Sequence, residues 1–347
     1  MSLSGMMIGT IKHYKLFFHF RPLLKQCHSI HSALPSRMLE QVVRAEVEAK
    51  NYEKIPNLLI SSEPCPSPNP FSFFSSVPQN TRVQIIDEML QSFIPLRPRS
   101  KLQTAYSYLL SYTLESPNSL PLALAVLQRT LRSGCIPVPQ THVLLTSAWL
   151  NKRQQCHSVS NILLQMQSIR YQPDCKTCNY LLSSLCAVDQ WMEAVKVLKG
   201  MSGAGCFPDQ ESYNIVIGAI CRVRRTTEAL DLMKQMVGKC GLTPGPGSLM
   251  KLLAALRANR EIWKTVEMIE FLENEGYTVG FESYEMVIEG CLEKAEYLLA
   301  GKVAMRMTER GFIPYIKVRH KIIEGLASIG EWKIACAVRQ RFASLGS

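Results

Sequence analysis

The spacing of Cys175 and Cys178 is the first feature that could carry chemistry. They form the single CxxC motif of the chain. A structural zinc site needs four ligands, and neither a second CxxC nor a nearby His-x-x-x-His pair accompanies this motif. A redox dithiol of this spacing needs a βαβ context, which the sequence lacks. The motif is therefore interpreted as the start of a helix, in preference to a metal or redox site.

A basic run, Arg222-Val223-Arg224-Arg225, is the second such feature. Guanidinium groups bind phosphate, so the run could contact a nucleic-acid backbone. A solvated turn between two helices explains it equally well, and both interpretations stay open.

Histidines and tryptophans give weaker signals. His142 and His157 have no carboxylate at helical spacing, which argues against a general base. Four tryptophans recur at comparable places, where core packing is favoured over base stacking: Trp149, Trp191, Trp263 and Trp332. The chain has no Gly-rich phosphate loop, nucleophile elbow or metal-ligand triad. We therefore predict no catalytic residue, no cofactor and no metal site.

Composition indicates a folded chain with a mild basic excess. Of the 347 residues, 47% are hydrophobic and 19% charged, and the net charge is +11. Residues 1–38 contribute five Lys/Arg and no acid, residues 39–102 are neutral, and residues 103–347 hold 27 basic and 21 acidic residues. The twelve dispersed cysteines indicate small buried side chains in a reducing compartment. The apolar runs are too short for a membrane span.

The N-terminal third is predicted to contain two regions. Residues 1–38 lack acids and interleave basic residues with Leu and Phe, which is typical of an organellar transit peptide. We favour the mitochondrion, with the chloroplast as the alternative. Residues 39–102 are predicted to be an N-terminal helical capping region, with one helix at 39–60 and another at 81–93. A Pro/Ser-rich loop at 61–70 separates them.

From about residue 103 the chain repeats. Loop positions recur at spacings of 36, 35, 36, 35 and 35, at Pro137, Pro173, Pro208, Pro244, Val279 and Pro314. Three residues earlier stand Gly134, Arg170, Gly205, Gly241, Gly276 and Gly311, the places where a left-handed helix cap favours glycine. A small residue also recurs in the second helix of each unit, at Ala123, Val159, Ala194, Ala229, Thr265, Ala300 and Ala335. This period predicts an all-α solenoid of stacked helical hairpins.

Two consecutive units carry a more specific spelling. One contains Asn179, Cys186, Glu193-Ala194, Met201, Gly205 and Pro208-Asp209, and the next contains Tyr213, Asn214, Cys221, Glu228-Ala229, Met236, Gly241 and Pro244. This pattern resembles the pentatricopeptide repeat (PPR) family, over about residues 103–347 and six to seven units. The 35-residue period and the Pro-Asp loop distinguish it from the tetratricopeptide repeat.

The resemblance implies a right-handed α-solenoid that binds single-stranded RNA in plant organelles, with one base per repeat. In the family, the fifth and the last residue of a unit contact the base. Carried onto this chain, Asn179 with Asp209 matches the uridine-preferring pair. Asn214 faces Gly245 at the last position. Ser107 and Asp174 each keep half of a pair, with Val138 and Val143 as their partners.

The remaining positions depart from the family pattern. Met250 with Gly280 and Glu285 with Tyr315 match no usual pair, and Glu285 is expected to repel phosphate. Only Arg222 occupies the family's basic position after the first helix. The usually apolar second residue is Gln140, Lys176, Glu211, Gly247, Glu282 or Lys317.

These residues lead to two functional hypotheses. The first is a non-catalytic organellar adaptor that binds single-stranded RNA in transcript processing, stabilisation or translation. Its candidate RNA-binding residues are Asn179, Asp209, Asn214, Arg222, Ser107 and Asp174. The alternative is a protein-binding helical scaffold, such as an organellar ribosome-associated factor. Neither hypothesis includes a small-molecule substrate or a membrane.

Overall fold

Helices account for all the regular structure of the described residues. The computed structural model describes residues 36–60 and 68–345. Residues 1–35 of the predicted transit peptide at 1–38 and residues 61–67 of the predicted loop at 61–70 lie outside them. The α-helices are α1 Ser36–Glu48, α2 Ile55–Ile60, α3 Gln79–Ser92, α4 Leu102–Glu115, α5 Leu120–Arg132, α6 Gln140–Gln155, α7 Val159–Leu164, α8 Cys175–Ala187, α9 Trp191–Gly200, α10 Gln210–Arg222, α11 Thr226–Gly238, α12 Pro246–Ala258, α13 Ile262–Asn274, α14 Phe281–Glu293, α15 Tyr297–Glu309, α16 Ile316–Ser328 and α17 Trp332–Leu345.

The helices from α4 onward pair into seven hairpins, α4/α5 to α16/α17. Each first helix contacts the first helix of the next hairpin, from α4 and α6 to α14 and α16. The apolar faces of successive hairpins thereby form one continuous core, because no hairpin can bury its own face alone. The predicted all-α solenoid of 35-residue helical hairpins is confirmed.

Backbone conformation explains why glycine recurs before each loop. The predicted cap glycines all have positive φ, from 62° at Gly241 to 81° at Gly276 and Gly311. A residue without Cβ adopts this conformation at little cost. Arg170 stands at the same place with φ 65°, and its unit is also irregular, since α7 is short and continues as a 3₁₀ turn.

The recurring small residues are all buried, as the close approach of helices requires. The largest of the apolar ones, Val159, is accommodated by Gly200 of the following hairpin. A Cβ on Gly200 would lie 2.5 Å from Val159 Cγ1. The last two described hairpins use a related fit, in which Tyr297 of α15 covers Gly325 of α16.

The N-terminal segment differs from the prediction in one element. Residues 39–60 do not form one helix, because the chain turns at Lys50, where φ is 58°. The turn separates α1 from α2, and Ile55 and Leu59 of α2 are fully buried. Helix α2 packs on α4, the first helix of the hairpin series. The capping role of residues 39–102 stays a prediction.

Two tryptophans depart from the expected core packing. Trp149 is fully buried, and its Nε1 donates to Glu193 Oε1 at 3.2 Å. Trp263 and Trp332, in contrast, are 61% and 65% exposed. Trp332 occupies the position of Tyr297, but it follows the last described first helix, so no further hairpin covers it. In the part of the chain that is described, no helix has the length and hydropathy of a membrane span.

Candidate nucleic-acid interface

An open groove runs between the first helices of three successive hairpins, α8, α10 and α12. Its volume is about 740 Å³, which is within the usual range of ligand sites. Small side chains of α8, α10 and α12 form much of its surface: Ala187, Gly218, Ala254 and Ala258. Polar and charged side chains also line it, among them Glu211, Asn214, Arg222 and Lys251. The groove therefore combines a flat apolar surface with polar groups, as a nucleobase site requires.

Asn179 and Asp209, which the family resemblance pairs, lie in contact in the structure. Asn179 Nδ2 donates to Asp209 Oδ1 at 3.1 Å. Burial by itself raises the pKa of Asp209, but hydrogen bonds from Ser212 and Asn179 outweigh it and leave the pKa lowered. Asp209 is therefore a carboxylate, which only accepts hydrogen bonds and fixes the Asn179 nitrogen toward itself.

Sequence reasoning missed the residue that holds the other end of this amide. The Ser212 hydroxyl donates to Asn179 Oδ1 at 2.6 Å. Ser212 also completes a capping box at the start of α10, where Asp209 Oδ1 accepts from its backbone nitrogen at 2.8 Å. The same residues that begin the helix therefore orient the Asn179 amide.

This arrangement recurs one hairpin later without the carboxylate. Ser248 donates to Asn214 Oδ1 at 2.6 Å. Gly245 stands where Asp209 stands in the preceding unit, so it offers no acceptor to Asn214 Nδ2. A Cβ on Gly245 would lie 3.5 Å from that nitrogen. Asn214 thus has the position of a base-contacting amide, but no side chain at position 245 accepts a hydrogen bond from its nitrogen.

In the unit after five of the six fifth residues, the third position is a buried hydroxyl residue, at Thr141, Thr177, Ser212, Ser248 and Ser283, whereas the unit after Glu285 has Val318 there. The period of 35 or 36 residues could have revealed this position in the sequence. Where the fifth residue has no oxygen to accept a hydrogen bond, the buried hydroxyl lacks a good hydrogen-bond partner. Thr177 follows Val143, and Thr177 Oγ1 is buried without a hydrogen-bond partner. Ser283 has only the sulfur of Met250, at 3.6 Å.

Three exposed cations line the groove that contains Asn214, namely Arg222, Arg224 and Lys251. Arg222 Nη2 donates to the Cys186 carbonyl at 3.2 Å. Lys251, which the sequence did not single out, is close enough that a Cβ on Gly218 would lie 3.9 Å from its Nζ. Neither Arg222 nor Lys251 forms an ion pair with any carboxylate of residues 36–60 or 68–345. Both charges therefore stay available to an anionic ligand.

The next groove along the array is electrically different. It lies between α12, α14 and α16 and has a volume of about 730 Å³. Its arginine, Arg257, forms ion pairs with Glu289 at 3.1 Å and with Glu293. The hydrogen bond from Arg257 lowers the pKa of Glu293, so the pair is ionised. Lys317 and Lys321 also line this groove, so its three cations face three carboxylates, those of Glu289, Glu293 and Glu324. The groove between α8 and α12 holds three cations and one carboxylate, that of Glu211, so the net basic charge is concentrated there.

Ser107 and Asp174 lie away from the groove. The Ser107 hydroxyl donates to the carbonyl of Gln103 at 2.8 Å. Asp174 caps α8 by accepting from the Thr177 nitrogen at 2.9 Å, and its other oxygen pairs with Arg132 at 2.8 Å. Both side chains are therefore engaged within the protein, and their role in binding RNA stays a prediction.

Glu285 does not face the groove as an open charge. Its side chain is buried at 6% exposure, and Oε1 accepts from the Tyr315 nitrogen at 2.7 Å. Burial raises its pKa, with a small opposing effect from that hydrogen bond. The expected repulsion of phosphate by Glu285 is thereby weakened, because burial shields the carboxylate.

The CxxC cysteines lie in the first turn of α8. Burial raises the pKa of Cys175 to about 11. The pKa of Cys178 is raised by its hydrogen bond with the Cys206 thiol and by burial. Within the described ranges, no group of three or more His, Cys, Asp or Glu side chains is arranged to hold a metal ion.

The fold and the groove together define a helical-hairpin solenoid with 35-residue units and a polar first-helix surface. The model of the PPR repeat family matches residues 173–222, and that of the PPR repeat matches residues 211–240. Over 310 residues the chain is 60% identical to the pentatricopeptide repeat-containing protein At1g06270 of Arabidopsis thaliana, covering 89% of this chain and 90% of that protein. The chain therefore belongs to the pentatricopeptide repeat family.

Solved PPR structures are similar at lower identity. The crystal structure of PPR10 from maize matches 89% of this chain with 18% identity and a TM-score of 0.40, and this chain spans about half of it, 47%. The PPR domain of Arabidopsis thaliana protein-only RNase P 1, in complex with tRNA, matches 74% of this chain and 98% of that one. Its identity is 14% and its TM-score 0.32.

Proposed function

We propose that this protein is a non-catalytic adaptor that holds a short stretch of single-stranded RNA in the groove between α8 and α12. The observation that carries the proposal is the coincidence, in one groove, of the Asn214 amide with two cations that lack carboxylate partners. Family membership supports the same class of ligand.

The groove suggests how the strand is held. A base would lie on the small side chains of α10 and α12, with its edge toward the Asn214 amide. The phosphates on either side would meet Arg222 and Lys251. Stacking contributes on the order of 1–3 kcal/mol per base, so a footprint of a few nucleotides gives modest affinity. The protein would act by occupancy, keeping the strand unpaired and inaccessible to other factors.

Salt dependence of binding tests this proposal most directly. We expect fluorescence anisotropy with the purified protein to show binding of unstructured RNA that weakens as salt rises. The Arg222→Ala, Lys251→Ala double variant should flatten the logarithmic salt slope by about 1.4, since each contact to a single-stranded phosphate contributes about 0.7. Arg257→Ala is the matched control and should change the slope much less, because Arg257 is already paired. Equal effects of the two changes would contradict the proposed site.

The cellular role is part of the same proposal. We propose that the adaptor serves transcript processing, stabilisation or translation in mitochondria, with the chloroplast as the alternative. A fluorescent fusion carrying residues 1–38 tests the targeting, and retention of that fusion in the cytosol would reject it. Crosslinking and sequencing of RNA bound to the tagged protein in purified organelles tests the role.

A protein-binding scaffold is the second candidate, and the last described hairpin favours it. Trp332 and Ile316 there are 65% and 62% exposed. Large apolar side chains in such exposed positions are typical of protein interfaces. Partners that survive nuclease treatment, without any RNA adduct, would favour the scaffold over the RNA adaptor.

A further inference from the structure

Asn179, Asp209 and Ser212 form a hydrogen-bonded site, called here the Asn179 pocket, and Glu211 beside it departs from the family pattern of an apolar second residue. Glu211 is exposed in the first turn of α10, at the second position of its unit. Its Oε2 lies 3.5 Å from Asn179 Nδ2, and the same side chain lines the groove beside Asn214. No basic group in the described ranges forms an ion pair with Glu211. A carboxylate without an ion-pair partner among the described residues thus lies close to the Asn179 amide and lines the groove that contains Asn214.

The Asn179 amide is already fully engaged. Its oxygen accepts from Ser212 at 2.6 Å, and its nitrogen lies within reach of two carboxylates, Asp209 at 3.1 Å and Glu211 at 3.5 Å. Asn179 itself is 4% exposed. A base entering this pocket therefore meets the exposed Glu211 carboxylate before it meets the amide.

Carboxylate oxygens only accept hydrogen bonds, so this pocket selects for donors on the base. The Watson–Crick edge of guanine presents two adjacent donors, N1–H and the N2 amino group, which match the two oxygens of one carboxylate. Uracil presents one donor, N3–H, between two carbonyl oxygens, and these oxygens would face the negative charge. Cytosine and adenine each offer a single amino group at this edge.

We propose that Glu211 determines the base specificity of the Asn179 pocket and makes it prefer guanine over uracil. The preference is opposite to the uridine that Asn179 with Asp209 implies by resemblance. This inference rests on the proposed function, since it concerns RNA bound in the same groove. Bidentate pairing with the correct base typically discriminates by about 5- to 150-fold, and we expect a preference in the lower part of that range because Glu211 is exposed.

The test compares binding of short RNAs of equal length in which every third base is guanine, uracil or cytosine and the others are adenine. Separating the guanines prevents four-stranded structures. Wild-type protein should bind the guanine series more tightly than the uracil series. Glu211→Val, which restores an apolar second residue, should reverse or abolish that ratio. Glu211→Gln, similar in size but able to donate, should reduce it.

Glu282→Val is the matched control, because Glu282 holds the same position two units later, where the fifth residue is Met250 in one unit and Glu285 in the next. It should leave the ratio unchanged. If Glu211→Val strengthens binding of every series equally, Glu211 acts only as a general negative charge and the inference is overturned, while RNA binding stands. If the wild-type protein binds none of the series, the proposed function fails together with the inference.

Discussion

The Asn214 unit differs from the Asn179 unit in having Gly245 where the latter has Asp209. The substitution Gly245→Asp should make the two units equivalent. The backbone of Gly245 has φ −67° and ψ 143°, an extended conformation like that of Asp209 at φ −103° and ψ −177°. An added Cβ would lie 3.5 Å from Asn214 Nδ2 and 3.8 Å from Gln210 Nε2, both ordinary contacts. An aspartate therefore fits without strain, with its carboxylate beside the unpaired Asn214 nitrogen.

Three effects of this change can be estimated from the structure. Removing a glycine from an extended position stabilises the fold by about 0.4–1 kcal/mol through the unfolded chain. A carboxylate at the start of α12 should add a few tenths of a kcal/mol as a helix cap. The new hydrogen bond would fix the Asn214 amide, as Asp209 fixes that of Asn179, and is worth about 0.5–1.5 kcal/mol. Applied to one base edge, this corresponds to a change in base preference of about 2- to 12-fold.

Binding and unfolding measurements on one set of variants separate these effects. Gly280→Asp adds the same cap one unit later, beside Met250, so it should stabilise the protein without changing base preference. Gly245→Ala should reproduce the entropic part alone. We expect only Gly245→Asp to increase uracil preference, since uracil is the base that an Asn–Asp pair implies and Gly247 adds no carboxylate there. A preference unchanged in Gly245→Asp protein that is fully folded would refute the assignment of Asn214 as a base-contacting residue.

Three further predictions concern packing and charge. Gly325→Ala should lower the free energy of unfolding in urea by about 1–3 kcal/mol, because its Cβ would lie 2.1 Å from Tyr297 Cδ1. Gly247→Ala is the control and should be neutral or stabilising, because the space around Gly247 is open. Equal effects of the two substitutions would contradict the packing argument. Glu285→Gln should stabilise the protein at neutral pH by on the order of 1 kcal/mol, because burial raises the pKa of this carboxyl. The gain in stability should shrink in acid, as the native glutamate protonates. A loss of stability at neutral pH would show that the charge is needed. Burial lowers the pKa of His142, so the unfolded state binds a proton before the folded state does as the pH falls. Stability should therefore fall as the pH drops below about 6.5. His142→Gln should remove that part of the pH dependence of the urea midpoint, and an unchanged pH profile would contradict the prediction.

The repeat period predicted the features that depend on backbone geometry. Glycines at a fixed distance before each loop, such as Gly205, do adopt positive φ. The spacing of Asn179 and Asp209 placed them in contact because the helix start follows the loop at a fixed distance. These features are local or recur between nearest neighbours, so a one-dimensional pattern is enough to locate them.

Contacts that depend on the identity of several side chains could not be predicted in this way. The position of Glu285 in the repeat suggested a charge exposed to the groove. The side chain is buried instead, and it accepts a hydrogen bond from the Tyr315 nitrogen of the next unit. No carboxylate of the described residues forms an ion pair with Lys251, whereas Arg257, six residues later on α12, pairs with two. A shared register fixes which residues are neighbours, and only the full set of side chains decides whether a charge is neutralised.

This difference has a consequence for how such an array acquires binding specificity. The core of the solenoid rests on buried apolar and small residues, such as Ala194 and Ala229, which do not line the groove. Groove residues such as Glu211 and Lys251 are exposed, so their substitution costs the fold little. The hydroxyl of Ser212 is the exception, since it both caps α10 and orients the Asn179 amide. Base-contacting chemistry can therefore change from unit to unit while the buried hydroxyls and the helix starts, which set its geometry, stay periodic.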